Sequence, residues 1–165
     1  MDPFLTALSR CETDGVAIRV WKHANLQVPD RLATVLKPAI RLAHDPISLA
    51  RFAREARLHE RSLRKYCDAS GLVSPQWIIG WARLLVAAYY LDEPGRTVQS
   101  VADLLKFPSA VGLANHVRRY ANMTPSGLRS AGAVNVIGRM MEHRMLVNVA
   151  GSAAVPLCEL STTLG

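Results

Sequence analysis

The sequence predicts an all-α protein with two helix-turn-helix subdomains, a long linker helix between them, a short N-terminal arm and a mobile C-terminal tail. Three observations lead to this fold class. From residue 30 onward, apolar residues recur at spacings of three and four, which is typical of helices with one buried face. A short helix, a tight turn and a second helix occur twice. Each second helix has basic residues on its outer side.

The first 29 residues are predicted to form an arm. Residues 15–21 are rich in β-branched side chains, which favours a short strand, although no partner strand is evident. Asp30 is a candidate N-cap for the helix that follows, and Pro38 is expected to kink or split that helix. Its apolar stripe consists of Leu32, Val35, Leu36, Ile40 and Leu42.

The first helix-turn-helix motif is predicted at about residues 48–71. Ser48 caps its first helix, and Leu58 fills the turn. The second helix starts near Glu60 and buries Leu63 and Cys67, and Gly71 ends it as a left-handed residue. The buried face of the first helix follows the spacing i, i+3, i+4 and i+7 through Leu49, Phe52, Ala53 and Ala56.

The linker helix is predicted at about residues 74–91, with Ser74 as its cap and Pro75 at its first position. Apolar residues occur on more than one of its sides, so we expect it to pack against both lobes. These residues are Trp77, Ile78, Trp81, Leu84, Leu85, Ala88 and Leu91.

The second motif is predicted at about residues 97–121 and repeats the pattern of the first. Thr97 stands 49 positions after Ser48, and Phe107 takes the place of Leu58. Ser109 caps the second candidate recognition helix, which Asn122 ends. A last short helix follows to about residue 130. Residues 131–165 show little periodicity; residues 138–147 could form a helix, but a mobile tail is expected.

Composition and charge narrow the class of protein. At 165 residues, half of them hydrophobic, the chain has room for one ordinary domain or for two small lobes sharing a helix. The net charge of +7 suits nucleic acid or an anionic surface. The longest apolar stretch, residues 77–91, is too short to span a bilayer, and no signal peptide is apparent. Cys11, Cys67 and Cys158 match neither a disulfide framework nor a zinc spacing, which favours a reducing cytoplasm.

The second motif resembles the second helix-turn-helix of the AraC/XylS family. The habitual form of that family runs Leu-Gly-Phe-Ser-Ser, then Phe-Lys-Arg-Tyr-Phe-Gly-Met-Ser-Pro and, after two further residues, Tyr-Arg. Residues 48–91 are similar to the first motif and linker of the same family, so the resemblance covers roughly residues 31–130. The matching segments of the second motif are Leu105-Lys106-Phe107-Pro108-Ser109, Val117-Arg118-Arg119-Tyr120 and Asn122-Met123-Thr124-Pro125-Ser126-Gly127-Leu128-Arg129.

The resemblance implies a bacterial transcription factor that places two recognition helices in successive major grooves of double-stranded DNA. Members of the family are mostly activators that contact RNA polymerase. By position, the base-facing residues of the first recognition helix are Arg61, Ser62, Arg64 and Lys65. Those of the second are Ala110, Val111, Ala114 and Asn115, with Arg118 nearer the phosphates.

Arg61, Arg64 and Lys65 share one face of their helix, opposite the apolar residues of the same helix. Arginine and lysine side chains can donate to O6 and N7 of guanine, as major-groove recognition requires. A solvated basic stripe on a helical bundle would show the same spacing, and the doubled motif favours DNA contact over that alternative.

Three features of the second motif depart from the family pattern. Lys106 stands where the family has glycine, so a strained or reshaped turn is expected. Gly112 lies inside the recognition helix and weakens it by roughly 0.5–1 kcal/mol relative to alanine. The outer face of that helix has few long hydrogen-bonding side chains, so the second lobe is expected to hold mainly the DNA backbone, with apolar contact to thymine methyl groups from Ala110, Val111 and Ala114.

Other functions remain as alternatives or are excluded. The same scaffold could be a protein-interaction module that binds RNA polymerase or a partner regulator, and the N-terminal segment could join two chains as a homodimer. Residues 1–29 are too few for a ligand-sensing domain, so no inducer pocket is predicted. No Gly-rich phosphate loop, nucleophile elbow or metal-ligand spacing is evident, so no enzyme activity, catalytic residue, metal or cofactor is predicted.

Overall fold

The computed structural model describes residues 3–146, with the side chains of residue 12 and of residues 14–146. Over that range the chain is helical, with one isolated antiparallel bridge between Leu72 and Leu146, and the predicted all-α class is confirmed. The helices are α1 (Pro3–Ala24), α2 (Asp30–Leu42), α3 (Leu49–Glu55), α4 (Glu60–Ala69), α5 (Pro75–Asp92), α6 (Val98–Leu104), α7 (Ala110–Ala121), α8 (Pro125–Ser130) and α9 (Ala133–Arg144).

The N-terminal strand prediction is wrong, because residues 15–21 lie inside α1. Val16, Val20 and Ala24 recur every four residues and therefore share one helical face. Val20 is fully buried and Ala24 nearly so, where α1 packs against α2, α5 and α9. Branching at Cβ lowers helix propensity by only tenths of a kcal/mol, and burial of this apolar face outweighs it.

The predicted mobile tail is also wrong for residues 133–144, which form α9 and pack along α5. Ala133, Ile137 and Met141 recur every four residues and are all fully buried. Both carboxylate oxygens of Asp92, at the end of α5, accept backbone N–H groups at the start of α9 at 2.8 Å. The rest of the tail prediction, residues 147–165, lies outside the described residues.

Helix α5 is the central element. It contacts α2, α3 and α4 of the first lobe, which we define as α2–α4. It also contacts α6, α7 and α8, which we define as the second lobe, and α1 and α9 pack against it as well. Trp81, Leu84 and Leu85 in its middle are almost completely buried. The sequence explains this position, because α5 is apolar on more than one side.

Side-chain caps fix where three of the four motif helices, α3, α6 and α7, begin. Ser48 Oγ accepts the N–H of Arg51, and Ser109 Oγ accepts that of Gly112. Thr97 forms a capping box with Ser100. Helix α2 continues through Pro38 from Asp30 to Leu42, so the expected split does not occur.

Candidate nucleic-acid interface

Helix α4 presents a basic face. Its inner residues Leu63 and Cys67 are fully buried, one turn apart. Burial raises the pKa of the Cys67 thiol to about 11, so the thiol stays protonated as an apolar side chain. The outer residues are all exposed and comprise Arg61, Ser62, Arg64 and Lys65. None of these four side chains makes a hydrogen bond or an ion pair with another described residue.

Helix α7 presents a smaller and less polar face. Val111 is 66% exposed, and Asn115 and Arg118 are exposed beyond it. Arg118 donates from Nη1 to Oδ1 of Asn115 over a long 3.4 Å. Ala110 and Ala114 are half-buried on the same helix. The two candidate recognition helices therefore differ, with free cations on α4 and mainly short side chains on α7.

The turns of the two motifs have the same backbone conformation. Arg57 and Lys106 stand 49 positions apart and have φ values of +58° and +54°. In each turn the N–H of the next residue donates to a carbonyl oxygen five residues earlier. Leu58 donates to Ala53 at 2.9 Å, and Phe107 donates to Ala102 at 2.8 Å. The turn at Lys106 is therefore left-handed like the first turn, although it has no glycine. A left-handed conformation costs a residue with a side chain roughly 1–2 kcal/mol.

Lys106 is tied to the first lobe through its side chain. Its Nζ donates to Oδ1 of Asp45 at 2.6 Å. The guanidinium of Arg51 donates from both Nη1 and Nη2 to Oδ2 of the same carboxylate at 3.2 Å. The hydrogen bond from Lys106 is the main cause that lowers the pKa of Asp45, and so the carboxylate stays ionised.

Arg83 of α5 holds the same turn from the other side. It donates from Nη2 to the carbonyl of Leu105 at 2.6 Å, and its guanidinium lies 4.2 Å from the centre of the Phe107 ring. Neither Arg83 nor Asp45 was predicted as a functional residue. The sequence around them has no local signal, because both act on a turn more than twenty residues away.

The inner side of α7 is anchored on α5. The Nε2 of His116 lies 2.9 Å from the carbonyl oxygen of Gly80. A carbonyl only accepts, so Nε2 carries the proton. Burial lowers the pKa of His116 to about 4, so the ring is neutral. Trp77 and Trp81 contact the Tyr120 ring edge-on at centroid distances of 4.9 and 5.5 Å, which is packing rather than a free stacking surface.

Two cations near the second motif have structural partners. Arg129 donates to the carbonyl oxygens of Leu91 and Arg96, each at 2.7 Å. The guanidinium of Arg119 lies 5.9 Å from the centre of the Trp77 ring. Arg118 is exposed, and its guanidinium bonds to Asn115 of the same helix.

The outer faces of α4 and α7 are exposed, and their side chains can bind a ligand through hydrogen bonds and charge. Among the described side chains no group of histidine, cysteine, aspartate and glutamate is placed to hold a metal ion. Within residues 3–146 no helix is both long and apolar enough to cross a membrane.

Comparison with protein families gives a match to a helix-turn-helix domain over residues 52–131. The match begins in α3, takes in the linker helix and the second lobe, and ends just after α8. No curated protein and no solved structure matched the chain. Residues 52–131 therefore form a helix-turn-helix domain of the AraC/XylS type, and the chain is a DNA-binding transcription regulator.

Proposed function

We propose that this regulator recognises a specific double-stranded DNA site by placing α4 and α7 in two successive segments of the major groove, and that it activates transcription in the bacterial cytoplasm. The observation that carries the proposal is the outer face of α4. Arg61, Arg64 and Lys65 are exposed and have no partner among the described residues, while Leu63 and Cys67 fix the orientation of the helix from behind.

The first lobe supplies most of the base recognition in this proposal. Arg61, Arg64 and Lys65 can each donate to O6 and N7 of guanine, and Ser62 can bond to more than one base. A good bidentate contact discriminates between bases by about 1–3 kcal/mol. No ion pair with another described residue has to be broken to make these contacts.

The second lobe supplies contacts of another kind. The methyl groups of Ala110, Val111 and Ala114 suit the C5-methyl group of thymine, and Asn115 suits adenine. Arg118 suits a phosphate, which positions the protein without reading sequence. We therefore expect weaker sequence preference in the half-site that α7 covers.

The test begins with selection of bound duplexes from a random library. On the selected site, Arg64→Ala should lower affinity by about five- to 150-fold and relax the preference at one base pair, since a bidentate contact is lost. Arg139→Ala removes an exposed cation from α9, outside both motifs, and controls for lost charge. Equal effects of the two substitutions would contradict the assignment of Arg64.

Affinity should also fall steeply with salt concentration, because phosphate contacts release counterions. The proposal fails if the wild-type protein binds no promoter-length duplex at low salt. Activation is tested by transcription from a promoter carrying the selected site, where higher transcript levels are expected with the protein than without it.

A second candidate function is supported by the exposed Val111 and the few long polar side chains on α7. In this proposal α7 binds a protein, either RNA polymerase or a partner regulator. Binding to purified bacterial RNA polymerase without DNA, lost in Val111→Asp but kept in Arg64→Ala, would favour it. Light scattering of the purified chain separately tests a homodimer.

A further inference from the structure

Asp45 and Lys106 join the two lobes without α5 between them. Asp45 lies between α2 and α3, and Lys106 lies in the turn between α6 and α7. They are 61 positions apart in sequence, and the 2.6 Å between Nζ and Oδ1 is a short distance for a charged hydrogen bond. We call Asp45 and Lys106 the inter-lobe pair.

Asp45 is fixed to its own lobe, and the turn that carries Lys106 is fixed to α5. Arg51 in α3 binds the second carboxylate oxygen of Asp45 through both of its terminal nitrogens. On the other side, Arg83 holds Leu105 and Phe107, the two neighbours of Lys106, against α5. Any rotation of the second lobe around α5 would therefore have to stretch the contact between Nζ and Oδ1.

The turn itself does not need a lysine. Its left-handed backbone favours glycine, and the equivalent Arg57 of the first motif takes the same conformation with no side-chain hydrogen bond or ion pair to a described residue. What distinguishes Lys106 from Arg57 is its contact with Asp45 across the lobes.

We propose that the inter-lobe pair is a positioning device that fixes the phase between α4 and α7 and thereby sets the number of base pairs between the two half-sites. The inference rests on the proposed function, since it presupposes that both helices enter the same duplex. Half-sites in successive major grooves are separated by one helical turn, so an inserted or deleted base pair rotates one half-site relative to the other.

The experiment compares Lys106→Gly with Arg57→Gly on a duplex series in which one or two base pairs are inserted or deleted between the selected half-sites. Both substitutions remove one cation and relieve the same left-handed backbone, so they are matched in charge and in turn chemistry. Neither should unfold the protein, which urea denaturation checks. Asp45→Asn removes the pair from the other side.

We expect Lys106→Gly and Asp45→Asn to reduce the preference for the best spacing over its neighbours by about two- to fivefold, the range of a partly exposed ion pair. Arg57→Gly should leave that ratio unchanged, whatever it does to overall affinity. Binding of no duplex by the wild-type protein would defeat the proposed function. If Lys106→Gly keeps the spacing preference of the wild-type protein, the role of the inter-lobe pair is overturned, but the proposed function is not.

Discussion

Gly80 of α5 lies against the Tyr120 side chain of α7. A Cβ atom at this position would stand 1.8 Å from the hydroxyl oxygen of Tyr120, so that ring would have to move. We expect Gly80→Ala to lower the free energy of unfolding by about 1–3 kcal/mol, as overpacking typically does. Urea denaturation measures the change, and a gain in stability would contradict the packing described here.

Gly112 in α7 provides a matched substitution away from that contact. An added Cβ there would meet Pro108 Cδ at 3.4 Å, an ordinary van der Waals distance. Because alanine favours the helix, Gly112→Ala should raise the free energy of unfolding by roughly 0.5–1 kcal/mol. The two glycines, both in helices, should thus respond with opposite signs.

His116 predicts a pH dependence of stability. Its pKa has the ordinary value of 6.5 in the unfolded chain, but burial lowers that pKa to about 4 in the folded protein. The unfolded state therefore binds more protons between these values, and the free energy of unfolding falls as pH drops from about 6.5 to about 4, by at most on the order of 3 kcal/mol. His44, whose pKa burial also lowers, adds to the same trend.

His116→Gln tests the assignment. Glutamine keeps an N–H donor for the Gly80 carbonyl but does not titrate. Urea denaturation across this pH range should show a smaller fall in the variant than in the wild-type protein. An unchanged slope would mean that other groups carry the pH dependence.

At the residue scale, the spacing of residues along the chain predicted which side chains are buried and which residues cap the motif helices. The spacing of Leu63 and Cys67 placed both on the buried face, and the caps Ser48, Thr97 and Ser109 were all found. Asp45 and Arg83 were missed because their partners are distant in sequence. The exposure of the four outer residues of α4 agrees with the helical spacing, whereas Ala110 and Ala114 of α7 are half-buried, and the role of each residue stays a prediction.

Among the elements, α9 depends on a cap supplied by another helix. Asp92 accepts the N–H groups of Ala133 and Val134, so Asp92→Ala should leave two backbone donors without these partners and cost about 1–2 kcal/mol. Thermal unfolding measures the loss, and hydrogen exchange should show the start of α9 opening more often. Asp103→Ala, which removes an exposed carboxylate bonded only to Gln99, is the control and should change stability little.

Both incorrect element predictions concerned helices outside the doubled motif. For α1, the choice between strand and helix depended on weak propensities, and burial against α9 decided it. For α9, the four-residue spacing of Ala133, Ile137 and Met141 was present in the sequence. The candidate helix given by the sequence began only at residue 138. Gly138 lies inside α9, where a Cβ would stand 2.9 Å from the carbonyl oxygen of Ala24, so the glycine permits close packing of α1.

At the scale of the whole molecule, both lobes and the helices α1 and α9 share α5 as their core. We expect the chain to unfold in one cooperative step, because neither lobe keeps its buried surface without α5. In a variant retaining only Trp21, beside α2, or only Trp77, beside α7, the fluorescence midpoint in urea should coincide with the circular-dichroism midpoint of the same variant. Two separate midpoints would mean that the lobes are independent.

The sequence predicted the central position of α5 from its apolar sides, and the duplication predicted the two lobes. It did not predict how the lobes are held relative to each other. The contact between Asp45 and Lys106 spans the two lobes, and α9 begins at the cap from Asp92 and is followed by the bridge between Leu146 and Leu72. Pairings across such separations leave no periodic trace in a single sequence.

Cys67 lies directly behind the basic face of α4, fully enclosed and with a thiol that stays protonated. An alkylating reagent can reach its sulfur only when the packing around α4 opens. The rate at which this thiol is labelled therefore reports how often the first motif opens, and DNA seated on α4 would slow that labelling without touching the sulfur itself.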